Sequence, residues 1–141
     1  MIDIISIGVI GLRNAGAPIL NNLYKSTNSD LVAFHIDKNK LNDVPKDISK
    51  ANSIKDLVQK CKAVLTCLPQ PEPVLHAVDG EDGLLQNAQS GMILLDTSPT
   101  DFKQPQKLAS KATPNDVSIL DTTTLEGAHA FPTYHAFCLT A

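Results

Sequence analysis

The residues of this chain best placed to do chemistry are two glycines, Gly11 and Gly16, which bracket Leu12, Arg13, Asn14 and Ala15. Residues 4–10 before them are apolar except for Ser6 and Gly8, the pattern of a strand buried on both faces. A helix is expected over residues 16–24, with Ile19, Leu20, Leu23 and Tyr24 turned inward. Pro18 is tolerated there because the first turn needs no N–H donors. A strand, a tight glycine turn and a helix N-terminus together form an anion-binding device, in which backbone N–H groups and the positive end of the helix dipole face a phosphate. The expected chemistry is therefore phosphate binding.

The G-x-G-x-x-G pattern that cradles a dinucleotide pyrophosphate has a glycine at its third position, for close approach of the backbone. Here that position is Arg13. Its Cβ and long side chain occupy the path of the phosphates, and a positive φ would add strain of about 1–3 kcal/mol. Against this, a guanidinium binds phosphate by charge-assisted hydrogen bonds. Steric exclusion is expected to outweigh attraction, which leaves cofactor binding weak or lost. The competing reading is a strand-to-helix turn that binds no nucleotide.

A second apolar run, residues 31–36, closes at Asp37. An acid at the end of the second strand accepts hydrogen bonds from the adenosine ribose hydroxyls and favours NAD over NADP. Lys38 beside it joins the candidate set. Other groups point to less. His129 and His135 flank a proline-containing loop, but no third metal ligand accompanies them. Cys61, Cys67 and Cys138 form no C-x-x-C pair and read as small buried side chains. Asp96, Asp121 and Glu126 fall near strand ends, Asp121 as a structural residue. Ser98 and Thr122 to Thr124 have no nucleophile-elbow setting.

The remaining elements follow from periodicity. Residues 39–50, with Pro45 among them, read as a short helix and loop. Ser53 and Asp56 form a capping-box-like pair, and Ile54, Leu57, Val58 and Cys61 follow helical spacing. Strands are expected over 63–68, 92–96, 117–121 and 136–140. Short helices are expected over 71–78 and through Ala88, with a Gly80–Gly83 turn between them, and a further helix ends near Ala112. This alternation argues for one α/β domain over residues 1–141, a doubly wound and mostly parallel Rossmann sheet with helices on both faces. The 141 residues are 43% apolar, enough for one core, and the net charge of -3 gives no basic face for nucleic acid. No apolar run approaches the roughly 18 residues of a membrane span. A soluble, cytoplasmic setting is expected.

Three blocks in order resemble the β-hydroxyacid dehydrogenases, relatives of 3-hydroxyisobutyrate dehydrogenase and tartronate semialdehyde reductase whose N-terminal domain is of the 6-phosphogluconate dehydrogenase type. Residues 8–23 read GVIGLRNAGAPILNNL against the family's G-F-I-G-L-G-x-M-G-x-P-M-A-x-N-L. Cys67-Leu68-Pro69 matches its M-L-P, followed by Val74, Val78 and the glycine turn. Leu95-Asp96-Thr97-Ser98 matches its I-D-x-S. The resemblance implies an NAD or NADP site to which Leu68, Pro69 and Ser98 contribute, and hydride transfer to or from a 3-hydroxyacid. It also implies a helical domain carrying a catalytic lysine, which is expected to be absent from these 141 residues. Leu125 and Glu126 stand where the family has Ser and Gly against the substrate carboxylate, and Pro99 replaces a hydroxyl residue near the nicotinamide ribose. The isolated chain is thus expected to be inactive, or to be a non-catalytic Rossmann module within a larger polypeptide. Phe131, Tyr134 and Phe137 suggest a face that self-associates or receives that helical domain.

Overall fold

The computed structural model describes residues 6–13, 15–68, 71–97, 104–124 and 137–140. Seven strands form one sheet in the order β3-β2-β1-β4-β5-β6-β7. They are β1 (Ile7–Ile10), β2 (Leu31–Phe34), β3 (Ser49–Lys50), β4 (Ala63–Thr66), β5 (Ile93–Asp96), β6 (Ser118–Thr124) and β7 (Phe137–Thr140). The first six are mutually parallel, and β7 runs antiparallel to β6. The expected doubly wound, mostly parallel sheet is therefore present. Its helices are α1 (Gly16–Ser26), α2 (Ile54–Lys60), α3 (Pro71–Asp79), α4 (Leu84–Asn87) and α5 (Gln104–Ala112).

Side-chain alternation along the central strands divides the core in two. Ile10, Val32, Val64 and Leu94 face α2, α3, α4 and α5, meeting Leu57, Val58, Val74, Val78, Leu84 and Leu108. Val9, Ala33 and Leu65 face the other way, onto Ile19 and Leu20 of α1 and onto Leu41, Val44 and Ile48 from the segment after β2. Both layers are dry: Val9, Val64 and Leu94 are wholly buried. Ser53 caps α2 as its spacing implies, its Oγ accepting the Asp56 N–H at 3.0 Å. The Asp56 carboxylate reaches back to the Asn52 N–H, one residue before the usual capping-box partner.

Four local expectations give way. β4 ends at Thr66, two residues short of the stretch expected as strand. β2 ends at Phe34, two residues short of the apolar run, and Ile36 is 88% exposed. Ile10 is the last β1 residue in register with β2, opposite Phe34. The next residue, Gly11, donates its N–H to Phe34 O and turns away with φ +94°, so His35 and Ile36 have no strand beside them. β3 lies in the stretch read as helix and loop. Its two residues are both exposed and carry no apolar period, so only pairing with Val32 and Ala33 makes them a strand. Tyr24 is also half exposed, its hydroxyl donating to Asp47 at 2.9 Å. The polar end of the ring reaches water and a carboxylate, which an all-apolar inner face would not allow.

Candidate dinucleotide-binding site

β1 is flanked by β2 on one side and β4 on the other. The chain leaves β1 for β2 and later returns to place β4 on the opposite side, so the strand order reverses here. In open α/β sheets, ligands bind beyond the carboxyl ends of the strands at such a point. The glycine turn opens at this place. A Cβ on Gly11 would lie 2.3 Å from Cys67 O, and Gly11 holds a left-handed φ. A Cβ on Gly16 would lie 1.7 Å from Gly11 O. Backbone meets backbone at both positions, so no side chain fits without moving the turn. Ala15 precedes α1 as its N-cap and makes no side-chain cap bond, and the first turn of the helix holds no acid. Ala17 N–H donates to Arg13 O at 3.2 Å, Ile19 N–H to Ala15 O at 3.1 Å, and Pro18 has no N–H, so α1 offers an anion chiefly the positive end of its dipole.

The floor beneath the turn is a buried polar lattice at the ends of β4 and β5. Thr66 Oγ1 donates to Asp96 Oδ1 at 2.8 Å, and Thr97 Oγ1 donates to Thr66 O at 2.9 Å. Cys67 Sγ and Thr97 Oγ1 share a hydrogen bond of 2.7 Å. Cys67 N–H in turn holds Ile10 O. Burial pushes the Cys67 thiol up to about 11, the Asp96 charge adding to the effect and the Thr97 bond opposing it. Burial likewise raises Cys61 to about 11. Both remain protonated, buried thiols near neutral pH, as read from the sequence; the side chain of Cys138 lies outside the described residues.

Arg13 is exposed and is not among the described residues with positive φ. The backbone strain considered for this position is therefore absent, which leaves only the bulk of the side chain to set against its charge. At the end of β2, His35 is 7% exposed, and its Nδ1 accepts the Asp37 N–H at 3.0 Å. An imidazole that accepts at Nδ1 is neutral and carries its proton on Nε2. Burial, joined by the charges of Arg13 and Lys40, pushes His35 below its ordinary value against the pull of Asp37. Asp37 Oδ1 accepts the Asn39 N–H at 3.0 Å and caps a 3₁₀ turn, Lys38–Leu41.

A cavity of about 120 Å³ opens between these strand ends, α2 and α3, walled by Gly11, His35, Ile36, Ile54, Leu68 and His76, among others. Gly11 and Leu68 from the sequence-derived set thus share one cavity, while Leu12 is buried in the α1 layer of the core. Asp37 and Lys38 are not among its walls. Asn14, Pro69 and Ser98 lie outside the described residues, as do Pro99, Leu125, Glu126, His129, Phe131, Tyr134 and His135. Sequence reasoning passed over His35, Ile36, Ile54 and His76 as wall residues; the signal for the first two was the strand end itself, hidden because Ile36 extends the apolar run. A wider groove of about 620 Å³ lies at the other end of the strands, beside Asn28, Asp30 and Asp47. It adjoins the C-terminal end of α1, whose dipole repels phosphate, and it carries two acids against one lysine, Lys60, so size does not make it the anion site.

With this geometry in place, comparison with known proteins is decisive. The family described as the NAD binding domain of 6-phosphogluconate dehydrogenase matches residues 6–130. The chain belongs to this family. The human mitochondrial 3-hydroxyisobutyrate dehydrogenase is 28% identical over 110 residues, covering 74% of this chain and 31% of that protein. The NAD-dependent L-serine dehydrogenase of Pseudomonas aeruginosa is 30% identical over 119 residues, covering 82% and 39%. Among solved structures, the 3-hydroxyisobutyrate dehydrogenase of Mycobacterium tuberculosis with L-serine superposes with a TM-score of 0.81 at 20% identity, covering 91% of this chain and 43% of that one. The resemblance read from the three sequence blocks is thereby borne out. The chain spans about a third of the length of the curated relatives it matches. No helix among the described residues is long and apolar enough to cross a membrane.

Proposed function

We propose that this chain binds a nicotinamide dinucleotide as the cofactor-binding part of a 3-hydroxyacid dehydrogenase-like oxidoreductase. The observation that carries the reading is the pair Gly11 and Gly16, where a Cβ at either glycine would strike backbone and where α1 opens with no side-chain bond from its N-cap Ala15. Such a cradle fits a pyrophosphate: the backbone of Gly11 to Gly16 would approach it, and the N-terminal end of α1 would neutralise part of its charge. The apolar cavity beside Leu68 and Ile54 would take a flat ring with few polar partners. When bound, the dinucleotide supplies a reversible hydride acceptor or donor. The chain's own residues hold and orient it, over a floor kept rigid by the bonds linking Thr66, Asp96, Thr97 and Cys67.

The described residues are assigned to binding and none to the chemical step. Leu125 and Glu126, where relatives of this type hold a substrate carboxylate with Ser and Gly, argue against turnover by the isolated chain: leucine gives no hydrogen bond, and a glutamate repels a carboxylate. A saturable NADH signal with a short 3-hydroxyacid would overturn that part. The binding claim is tested by calorimetric titration of the 141-residue chain with NAD⁺ and NADP⁺. Saturable one-to-one binding of at least one is expected. The absence of both heat and thermal shift with either, at millimolar concentration, would overturn it. NAD and NADP differ only at the adenosine ribose. Asp37 is the ground on which the sequence favours NAD, yet one of its oxygens is already engaged by the Asn39 N–H.

A further inference from the structure

Resting on that dinucleotide reading, we propose that the crevice selects the 2′-phosphorylated dinucleotide, NADP, over NAD, and that Arg13 and Lys40 make the selection. A free adenosine ribose needs an acceptor for its 2′-hydroxyl close to the end of the second strand, whereas a 2′-phosphate needs cations there. The structure shows what stands at that end. Gly11 N–H binds Phe34 O at 3.0 Å, so the β1 turn and the residue leaving β2 emerge side by side. The residue leaving β2 is His35, not an acid. Its Nδ1 is occupied by the Asp37 N–H, which leaves that nitrogen unable to receive a hydroxyl. The nearest carboxylate, Asp37, lies two residues further on and caps the Lys38–Leu41 turn through Oδ1.

Cations, by contrast, reach the position from two segments. Arg13 comes from the β1 turn, and Lys40 comes from the 3₁₀ turn, which folds back through its N–H to Asp37 O at 3.1 Å. The charges of both reach the His35 imidazole. Lys38 and Lys40 are exposed, as is Arg13, and Asp37 is the acid that opposes them. Two positive side chains, Arg13 and Lys40, against the one negative Asp37 favour a ligand that brings an additional dianionic group. A neutral ribose gains nothing from them. Arg13, at the middle-glycine position and free of backbone strain, is on this account a phosphate ligand.

The test is competitive binding to the 141-residue chain, comparing NADP⁺ with NAD⁺ and, to isolate the 2′-phosphate, 2′,5′-ADP with 5′-ADP. NADP⁺ is expected to bind at least about tenfold more tightly than NAD⁺, the scale of one charge-assisted contact. 2′,5′-ADP should exceed 5′-ADP by a similar ratio, and both ratios should shrink as salt rises. In a chain carrying Arg13→Ala and Lys40→Ala the ratio should fall to about one. Lys25→Ala, on an exposed side chain at the far end of α1, should leave it unchanged. Both altered positions are exposed, so a thermal melt matching the parent confirms that the fold is kept. Clear binding in which NAD⁺ equals or exceeds NADP⁺ overturns the selectivity and leaves the dinucleotide reading standing. A preference that survives the double substitution overturns the roles of Arg13 and Lys40. Binding of neither dinucleotide overturns both readings together.

Discussion

The ends of β1 and β2 lie side by side and frame one crevice, yet they are built on different principles. After β1 the geometry is set by backbone: Gly11 and Gly16 pack against carbonyl oxygens with no room for a methyl group, and the helix that follows opens without a side-chain cap. After β2 it is set by side chains: a buried neutral imidazole, an exposed isoleucine, a capping carboxylate and two lysines within six residues. On the proposed reading, the first end receives an anion and the second selects what that anion is attached to. Drift at the second end costs little stability, while at the first end it costs the fold.

The largest expected effect tests that asymmetry directly. Gly16→Ala places a Cβ on Gly11 O, and the turn must open to admit it; a loss of about 3 kcal/mol or more in urea unfolding is expected, at the upper end for overpacking. Gly91 provides the control. Its φ is +84° but nothing lies within 4 Å of its Cβ position, so Gly91→Ala should lose only about 1 kcal/mol, for conformation alone. Equal losses at the two sites would remove the steric account of the β1 end.

His35 sets the next effect, at the β2 end. Unfolded, it titrates near 6.5. Folded, it titrates lower, because burial disfavours the cation and the charges of Arg13 and Lys40 add to that effect. The unfolded chain therefore binds the extra proton in the window between the two values. Stability is full above about pH 6.5 and falls as pH drops through that window, with a slope of at most about 1.4 kcal/mol per pH unit. Unfolding of the parent and of His35→Gln, compared at pH 7.5 and 5.5, should show a shallower acid loss in the variant. An identical loss in both would mean that His35 does not carry it.

How far the sequence revealed these two ends follows from what builds them. The β1 end was legible because close backbone packing demands glycine, and glycine is visible as a letter: the turn lies at Gly11 and Gly16 as read, with the strand ending at Ile10 before it and the helix beginning at Gly16. Ser53 was legible for a similar local reason, since its side chain bonds three residues away. The β2 end was misjudged by two residues because Ile36 prolongs an apolar run that tertiary pairing does not follow. β3 was missed because its pairing with β2 comes from a distant part of the chain and leaves no trace in Ser49 or Lys50. The crevice walls at Ile54 and His76 were missed for the same reason: each sits on a helix whose placement, not its composition, brings it to the cavity.

A smaller effect concerns Asp37. Its carboxylate caps a short exposed turn, and Asp37→Ala should lose about 1 kcal/mol or less. Asp37→Asn, which keeps the accepting oxygen, should recover most of it. If Asp37 served chiefly as a ribose acceptor, the alanine variant would leave stability untouched and weaken NAD⁺ alone.

The smallest expected effect is the one that most sharply separates the two strand ends. Ile36 looks, by sequence, like the last buried residue of β2. Were it so, Ile36→Ser would remove a core side chain and cost several kcal/mol, in the range of other large-to-small core changes. In the structure Ile36 is 88% exposed, and surface changes of this kind fall within about 0.5 kcal/mol of zero. Urea unfolding of the ligand-free chain should therefore barely distinguish Ile36→Ser from the parent. With dinucleotide present the two should diverge. Ile36 walls the apolar cavity, and covering it on binding removes its exposed surface from water, so the variant should gain less stability from saturating ligand than the parent does. A large loss without ligand would put β2 back to residue 36, whereas equal ligand-induced gains would take Ile36 off the binding surface.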